Sequence, residues 1–380
     1  MTFPRALALV IAGALISVAV AEPSPEQQLK VAVEQLRNGR NSEAFRAVER
    51  IVQRAPQFDL ARALYVELDA ARAAKPPAAA PNPRLQALVE EAQLRLSPPT
   101  VPVGSLPASL LELSEDQRYA VVVDLPRARL YVLENQKSGL KVVREHYAAM
   151  GKNGVGKQNR GDLRTPIGIY TVTGFTDNAR LPDKYGAGAF PLTYPNIWDR
   201  RHGRDGSGIW LHGVPKDVTA RAPRSSEGCV TMANDDLVAL RPYLQSGRTP
   251  VVLADTLEWL PAATLNKQRD ALLARIEAWR ARWSAIDTEA YLGFYADDFV
   301  TNGLKKPAFS NYKRRVNSGK RRIDVQLAEL DLMRYPGEPN LVVAQFRQDY
   351  KSDNFSVTSK KQQYWRQQKD GSWKIVLEES

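Results

Sequence analysis

The sequence predicts a multidomain α+β protein, and three patterns carry that expectation. Near the amino end, apolar residues recur at helical spacing across 24–74. Between 119 and 254, short runs rich in Val, Ile, Leu and Tyr are separated by turns containing Gly and Pro, as strands are. From 262 onward a long helical pattern and a short one precede four strand-length runs. At 380 residues, 43% hydrophobic and 25% charged, the chain has room for two or three such domains.

Residues 1–21 read as a secretory signal peptide. Arg5 supplies the positive end, Ala6 to Val20 the apolar run, and Ala19-Val-Ala21 the small-residue cleavage site. The run is short for a membrane span, so a retained anchor is the alternative reading, and no cysteine follows for lipid attachment. No second long apolar stretch occurs, which predicts a mature chain without a stable membrane span. A cleaved signal implies export, to the periplasm if the cell has one.

Residues 22–74 form the helical segment, with Glu26 to Leu36, Ser42 to Ala55 and Phe58 to Ala73 as helices and Gly39 and Pro56 as the breaks. Leu36, Gly39, Ala44 and Pro56 give it a tetratricopeptide-like look, although one unit does not make a repeat. Such a segment serves either to dock an envelope protein or a second copy of the chain, or to brace the domain that follows it. Residues 75–116 begin with a stiff Pro- and Ala-rich linker, Lys75 to Arg84, followed by a short amphipathic helix from Leu85 to Leu96 and a second extended stretch from Pro98 to Leu106.

In the middle of the chain, Tyr119 to Leu125 and Arg129 to Glu134 read as a hairpin around Pro126, with Val142 to Ala149 extending the same sheet. Ile167 to Val172 and Gly208 to His212 are further strands. Asn234 to Leu244 reads as a helix whose Asn-Asp-Asp start suits an amino terminus, and Pro250 to Ala254 closes the domain. Beyond it, Ala262 to about Ile286 is a long helix and Glu289 to Tyr295 a short one. Asp324 to Tyr335, Asn340 to Tyr350, Ser356 to Gln367 and Trp373 to Glu378 alternate as strands, with turns at Pro336-Gly337 and Asp370-Gly371.

The net charge of +11 falls by one when Arg5 leaves with the signal. Nucleic acid is the usual partner for such charge, but export and the lack of an aromatic-rich basic motif argue against it; anionic envelope polymers fit. The chain has one cysteine, Cys229, so it forms no intramolecular disulfide, and an odd thiol in an exported protein is a candidate reactive group.

Cys229 lies in Arg224-Ser-Ser-Glu-Gly-Cys-Val-Thr-Met232, after the run Gly208-Ile-Trp-Leu-His-Gly213. A free thiol is only a few per cent thiolate at neutral pH, so attack on an amide needs a base, and His212 can supply it. The backbone N–H groups around Gly228 and Cys229 can serve an oxyanion, and the Gly213 carbonyl can fix the imidazole tautomer, as an Asp does in other triads. A buried structural cysteine beside an unrelated histidine is the competing reading. Of the other histidines, His202 lies in a charged loop that reads as exposed surface, and His146 lies in a strand and reads as structural.

Taken with Gly161-Asp-Leu-Arg-Thr-Pro-Ile-Gly-Ile-Tyr170 and Ser226-Glu-Gly-Cys-Val230, these ordered motifs resemble the L,D-transpeptidase (YkuD-type) catalytic domain over 117–255. The resemblance implies a β-rich domain and a cysteine acyl-enzyme formed with a peptidoglycan stem peptide, at the bond between meso-diaminopimelate and D-Ala. Carried over by motif, Cys229 is the nucleophile, His212 the base, Gly213 its carbonyl partner, and Ser226, Glu227 and Gly228 the preceding loop. Glu227 stands where many members have histidine, and Thr231 where many have arginine. Arg221 and Arg224 are the candidates to hold a substrate carboxylate, and Glu227 is expected to turn from the sulfur or to pair with an arginine. No metal or cofactor is implied.

Residues 262–380 resemble an NTF2-like (SnoaL-type) α+β cone. Without histidine or cysteine, this domain is expected to bind a glycan or a partner, and Tyr312, Tyr350, Tyr364, Trp365 and Trp373 either line such a pocket or form core. The order of segments resembles the branch that includes L,D-carboxypeptidases acting in curved and helical bacteria. Two outcomes stay open after the shared thioester: an amine acceptor gives transpeptidation, and water gives a trimmed tripeptide. A non-catalytic envelope scaffold is the alternative of a different class.

Overall fold

The computed structural model describes residues 23–73, 82–218 and 221–380. The expected signal peptide lies outside these residues, as does most of the Pro-rich linker. The chain divides into two compact units, Met1–Leu85 and Gln86–Ser380.

In the first unit the helices are Pro25–Arg37, Asn41–Arg54 and Asp59–Ala73. The first opens on a capping box: Ser24 Oγ accepts from the Gln27 N–H and Gln27 Oε1 accepts from the Ser24 N–H, so two orphan donors of the first turn are satisfied. Gly39, at φ +74°, turns the chain into the second helix. Leu29, Ala32, Val33, Ala44, Phe45, Val48, Ile51, Leu60, Ala61 and Leu64 are buried, which is the stripe that the apolar spacing predicts.

The second unit is built on three main sheets. A five-stranded sheet runs Gly139–Tyr147, Arg129–Gln136, Tyr119–Asp124, Pro250–Ala254, Gly168–Thr171, antiparallel except where Tyr119–Asp124 lies parallel to Pro250–Ala254. Its central strands are buried on both faces, which explains their nearly unbroken Val and Leu runs. A four-stranded sheet, Val230–Thr231, Trp210–His212, Gly188–Pro191, Thr176–Asp177, carries the candidate histidine. Toward the carboxyl end, helix Ala262–Ser284 and helix Thr288–Leu292 precede a seven-stranded sheet, giving the NTF2-like domain.

Four elements depart from the sequence reading. Helix Lys306–Ser318 buries Ser310 and Asn317 along with Phe309, so its inner face is partly polar and its periodicity is masked. Strand Tyr295–Thr301 starts where a helix was expected to end. The stretch expected as linker also carries strands: Ser105–Pro107 pairs with Trp259–Pro261, and Leu110–Glu112 becomes an edge of the C-terminal sheet, with Leu110 opposite Met333. Edge pairing of this kind joins residues distant in the chain, up to Leu110 with Met333, and leaves no local pattern.

The same sheet packs against the catalytic region through helix Ile197–Arg201. Trp198 stacks on Tyr364 at 5.2 Å with rings 9° from parallel and donates its Nε1–H to Glu338 Oε1 at 2.7 Å. Beside it Asp199, fully buried, accepts from Tyr170 Oη, the Asn196 N–H and Arg204 Nη1, each at 3.1 Å, while Asn196 Nδ2 donates to Tyr335 Oη at 3.2 Å. A buried carboxylate is tolerable only with such complete partnering. Tyr364 and Trp365 are therefore core; Tyr350 is nearly buried, Trp373 half-buried and Tyr312 exposed. Tyr312 and Tyr350 line a cavity of about 430 Å³ with Trp283, Lys313 and Gln348.

Trp198→Ala should cost roughly 3–5 kcal/mol, the range for deleting a buried aromatic, and Trp198→Phe about 1–2 kcal/mol for the lost hydrogen bond. Urea unfolding of the full chain measures both; a Trp198→Ala midpoint equal to wild type would show that this contact does not hold the two regions together.

Candidate active site

The strand register brings the thiol to the imidazole. Trp210–His212 pairs in parallel with Val230–Thr231, Leu211 opposite Val230 and His212 opposite Thr231. Cys229, one residue earlier, therefore lies beside Trp210, and the two-residue alternation of a strand puts Trp210 and His212 on the same face. The Tyr185 ring confirms that face, since its centroid is 4.9 Å from each of theirs.

The loop before the cysteine is pinned from within. Ser226 Oγ accepts from the Gly228 N–H at 3.1 Å and donates to the Cys229 carbonyl at 2.5 Å. Gly228 has φ +124°, and a Cβ there would stand 2.8 Å from the Arg164 carbonyl, so only glycine fits. The Gly161-to-Tyr170 motif supplies that wall. Asp162 accepts from Lys157 Nζ at 2.7 Å and from the N–H groups of Gln158, Asn159 and Arg164, which hold its carboxyl down at about 2 and fix the turn.

Two expectations change here. The Gly228 N–H is committed to Ser226 Oγ and does not face an oxyanion. Ser226 itself is 1% exposed with its hydroxyl engaged inside the loop, so it shapes the turn and does not meet a substrate.

His212 is buried, and its Nδ1 lies 2.7 Å from the Gly213 carbonyl oxygen. A carbonyl only accepts, so Nδ1 carries the proton and Nε2 holds the lone pair. Burial pulls the imidazole down to about 4 against the Gly213 hydrogen bond, which raises it; Arg221 and Lys184 lower it further. Gly213 must be glycine, because a Cβ would meet Asn234 Oδ1 at 2.1 Å. Asn234 does not cap its helix. Its Oδ1 accepts from the Ala187 and Val214 N–H groups and its Nδ2 donates to the Val214 carbonyl, locking the loop after His212.

The Cys229 thiol donates to the Gly208 carbonyl at 3.2 Å. Burial pushes it up to about 11, opposed by the Trp210 backbone hydrogen bond and the charges of Lys184 and Lys157, and reinforced by Glu227. Both groups therefore rest neutral. Glu227 pairs with Lys184 at 3.3 Å, a lysine where an arginine was expected. Arg221 is half-exposed with its charge felt at His212, and Arg224 is exposed at a strand start.

Lys184, Tyr185 and Asn234 are site residues that the sequence reading missed. Lys184 and Tyr185 lie between Pro182 and Gly186 without a motif, and only the fold carries them to the site. His146 bonds Asp236 at 2.9 Å, tying the five-stranded sheet to the helix behind the cysteine, and His202 is exposed with Nδ1 on the Trp198 carbonyl. Among the described residues no group of three His, Cys, Asp or Glu side chains gathers at metal-binding separation, and no helix is long and apolar enough to cross a membrane.

Alkylation of the single thiol should keep accelerating up to about pH 11 in the native protein, whereas in urea it should level near pH 9; a native plateau below pH 8 would contradict a neutral resting thiol. Between pH 6.5 and about 4 the unfolded chain binds a proton at His212 that the folded chain refuses, so stability falls as pH drops through that window. Going from pH 7 to pH 4.5 should therefore cost the wild type about 2–3 kcal/mol more than His212→Gln, read from urea midpoints; equal losses would contradict the burial argument.

Comparison with known proteins gives the arrangement its relatives. Residues 118–253 match the L,D-transpeptidase catalytic domain (YkuD), and residues 271–379 match the Cds6 C-terminal NTF2-like domain. The structure of Bdellovibrio bacteriovorus Bd1075 is 31% identical at a TM-score of 0.64, over 72% of this chain and 97% of that one. The helical cell shape determining protein Pgp2 of Campylobacter jejuni is 26% identical at a TM-score of 0.61, over 71% of this chain and 94% of its own. YafK of Escherichia coli, named as an L,D-transpeptidase, is 31% identical over 81 residues; the match spans 21% of this chain and 28% of YafK. With both domains matched in order and a relative covered almost end to end, the chain belongs to the YkuD-type L,D-transpeptidase family, in the group that carries a C-terminal NTF2-like domain.

Proposed function

We propose that the protein is a cysteine acyltransferase of the cell envelope that acts on peptidoglycan stem peptides, with Cys229 as nucleophile and His212 as general base. One observation carries the reading: the Gly213 carbonyl fixes the His212 tautomer so that Nε2 holds the lone pair, and the strand register sets the chain's only thiol beside Trp210, on the face that His212 shares. The envelope location follows from the substrate and from the export signal read in residues 1–21.

In this reading Sγ leaves the Gly208 carbonyl and gives its proton to His212 Nε2 as it bonds to the diaminopimelate carbonyl carbon. The C=O electron pair moves onto oxygen. With the Gly228 N–H engaged elsewhere, the Cys229 N–H is the backbone donor for that oxyanion. The C–N bond then breaks, D-Ala leaves with the proton from Nε2, and a thioester remains. Burial favours neutral partners, so the thiolate exists only as the substrate takes it up.

An amine acceptor would next give up a proton to His212 Nε2 as its nitrogen bonds to the thioester carbonyl carbon; the C–S bond then breaks, Sγ takes the proton back from Nε2, and the new amide is released. Water as acceptor is the second reading, and one observation favours it. Thr231, where an arginine stands in many relatives, is buried and paired opposite His212, so it offers no cation to orient a second peptide. A role in cell shape is supported by the likeness to Pgp2 across both domains. The C-terminal cavity suits the accessory binding expected of that domain, because Trp283 Nε1 and Gln348 Oε1 lie buried there without partners.

Tetrapeptide stems incubated with the protein should yield D-Ala and a thioester adduct on Cys229 by mass spectrometry. Cross-linked product with an added amine marks transfer, and tripeptide alone marks hydrolysis. Cys229→Ala should abolish turnover and His212→Gln should lower it by roughly a thousandfold or more. Full activity in Cys229→Ala, or no adduct in the wild type, would refute the proposal.

A further inference from the structure

Among the described residues, Lys157, Arg164, Arg221 and Lys184 lie on segments that border the reacting pair, and they differ in what already holds them. Lys157 Nζ is buried and bound to Asp162 and to the Asn159 carbonyl, and Arg164 donates to the Val155 carbonyl. Arg221 is felt at His212, and Lys157 at Cys229; among the described residues only Lys184 is felt at both. Its backbone is fixed with respect to the pair. The turn Asp183–Tyr185 is clamped to the loop after His212, because the Gly213 N–H donates to the Tyr185 carbonyl at 3.2 Å and Gly186, at φ +58°, fits against Val214 and Asn234 with no room for a Cβ. The Tyr185 ring packs on Trp210 and His212, and Lys184 Nζ lies 5.2 Å from its centroid.

The head of Lys184 is held by a carboxylate that can leave. Its side chain is 51% exposed and that of Glu227 is 77% exposed, and an ion pair in that setting is worth about 0–1 kcal/mol. Glu227 belongs to the loop that carries Cys229, so the carboxylate now on Lys184 occupies the mouth of the site. We infer that Lys184 is the anchor for the free terminal carboxylate of the substrate peptide, and that Glu227 occupies this anchor in the free enzyme and is displaced when the substrate carboxylate arrives. This rests on the acyl-transfer reading above and adds to it a means of recognising chain ends: a peptide whose terminal carboxyl is amidated or already cross-linked cannot displace Glu227. Lys184 acts by positioning, since it touches neither the scissile bond nor the sulfur.

An internal competitor has a testable sign. Removing its charge should strengthen binding, and only for ligands that carry the competing group. The full chain with Cys229→Ala, which binds without reacting, is titrated calorimetrically with a stem tetrapeptide ending in free D-Ala and with its C-terminal amide. Lys184→Ala should weaken the acid roughly tenfold and the amide less than twofold, and Lys184→Arg should restore most of the loss. Glu227→Gln should tighten the acid by about threefold, leave the amide unchanged, and have no effect once Lys184 is Ala. Lys184→Gln serves as a second variant, with thermal midpoints checking that each protein is folded. Equal loss for acid and amide, or unchanged binding of both, would overturn the anchor and leave the acyl-transfer reading standing. If neither peptide binds and the wild type forms no thioester, both fall together.

Discussion

The site depends on the parallel pairing of Trp210–His212 with Val230–Thr231. Parallel neighbours cannot be joined by a tight turn, so the chain must leave His212, travel outward and return in register. The return loop is held by internal contacts of Ser226, by the Arg164 wall against Gly228, and by Asn234 against Gly213 and Val214. A slip of one residue in this pairing would move Cys229 off the face that His212 shares with Trp210. Glycine is required at both ends of the crossover for a similar reason: the Arg164 carbonyl at Gly228, and the Asn234 side chain at Gly213, already fill the space where a side chain would begin.

Burial then sets the chemistry that this geometry permits. The thiol and the imidazole are both moved toward their neutral forms, and the nearby charges of Lys184 and Glu227 act on the thiol in opposite directions. The pair is therefore unlike a preformed thiolate–imidazolium couple. A resting thiol that hydrogen-bonds a backbone carbonyl is poorly nucleophilic.

The C-terminal domain is joined to this region by buried polar and aromatic contacts. Trp198 and Asn196 meet Tyr335, Glu338 and Tyr364, while Leu110–Glu112 extends the C-terminal sheet from a segment that precedes the catalytic strands. The two matched regions consequently lie in one compact unit, and a ligand held by one is held at a defined place relative to the other.

Much of this was legible in local sequence. The helical stripe of 24–74, the alternation of the sheet strands, and the glycines beside Cys229 and His212 each encode a local preference, and a local preference can be read without knowing the fold. The lone thiol and its histidine were singled out by residue type and motif alone. Helix Lys306–Ser318 was hidden because its inner face contains Ser310 and Asn317, and the strands at 105–112 because their partners are distant in sequence. Only the tertiary structure decided that the Gly228 N–H is engaged, that Ser226 turns inward, and that Lys184, on a turn without a motif, meets Glu227. Hydrogen-bond commitment and through-space charge depend on which segments the fold brings together, and no periodicity or motif in the chain specifies that.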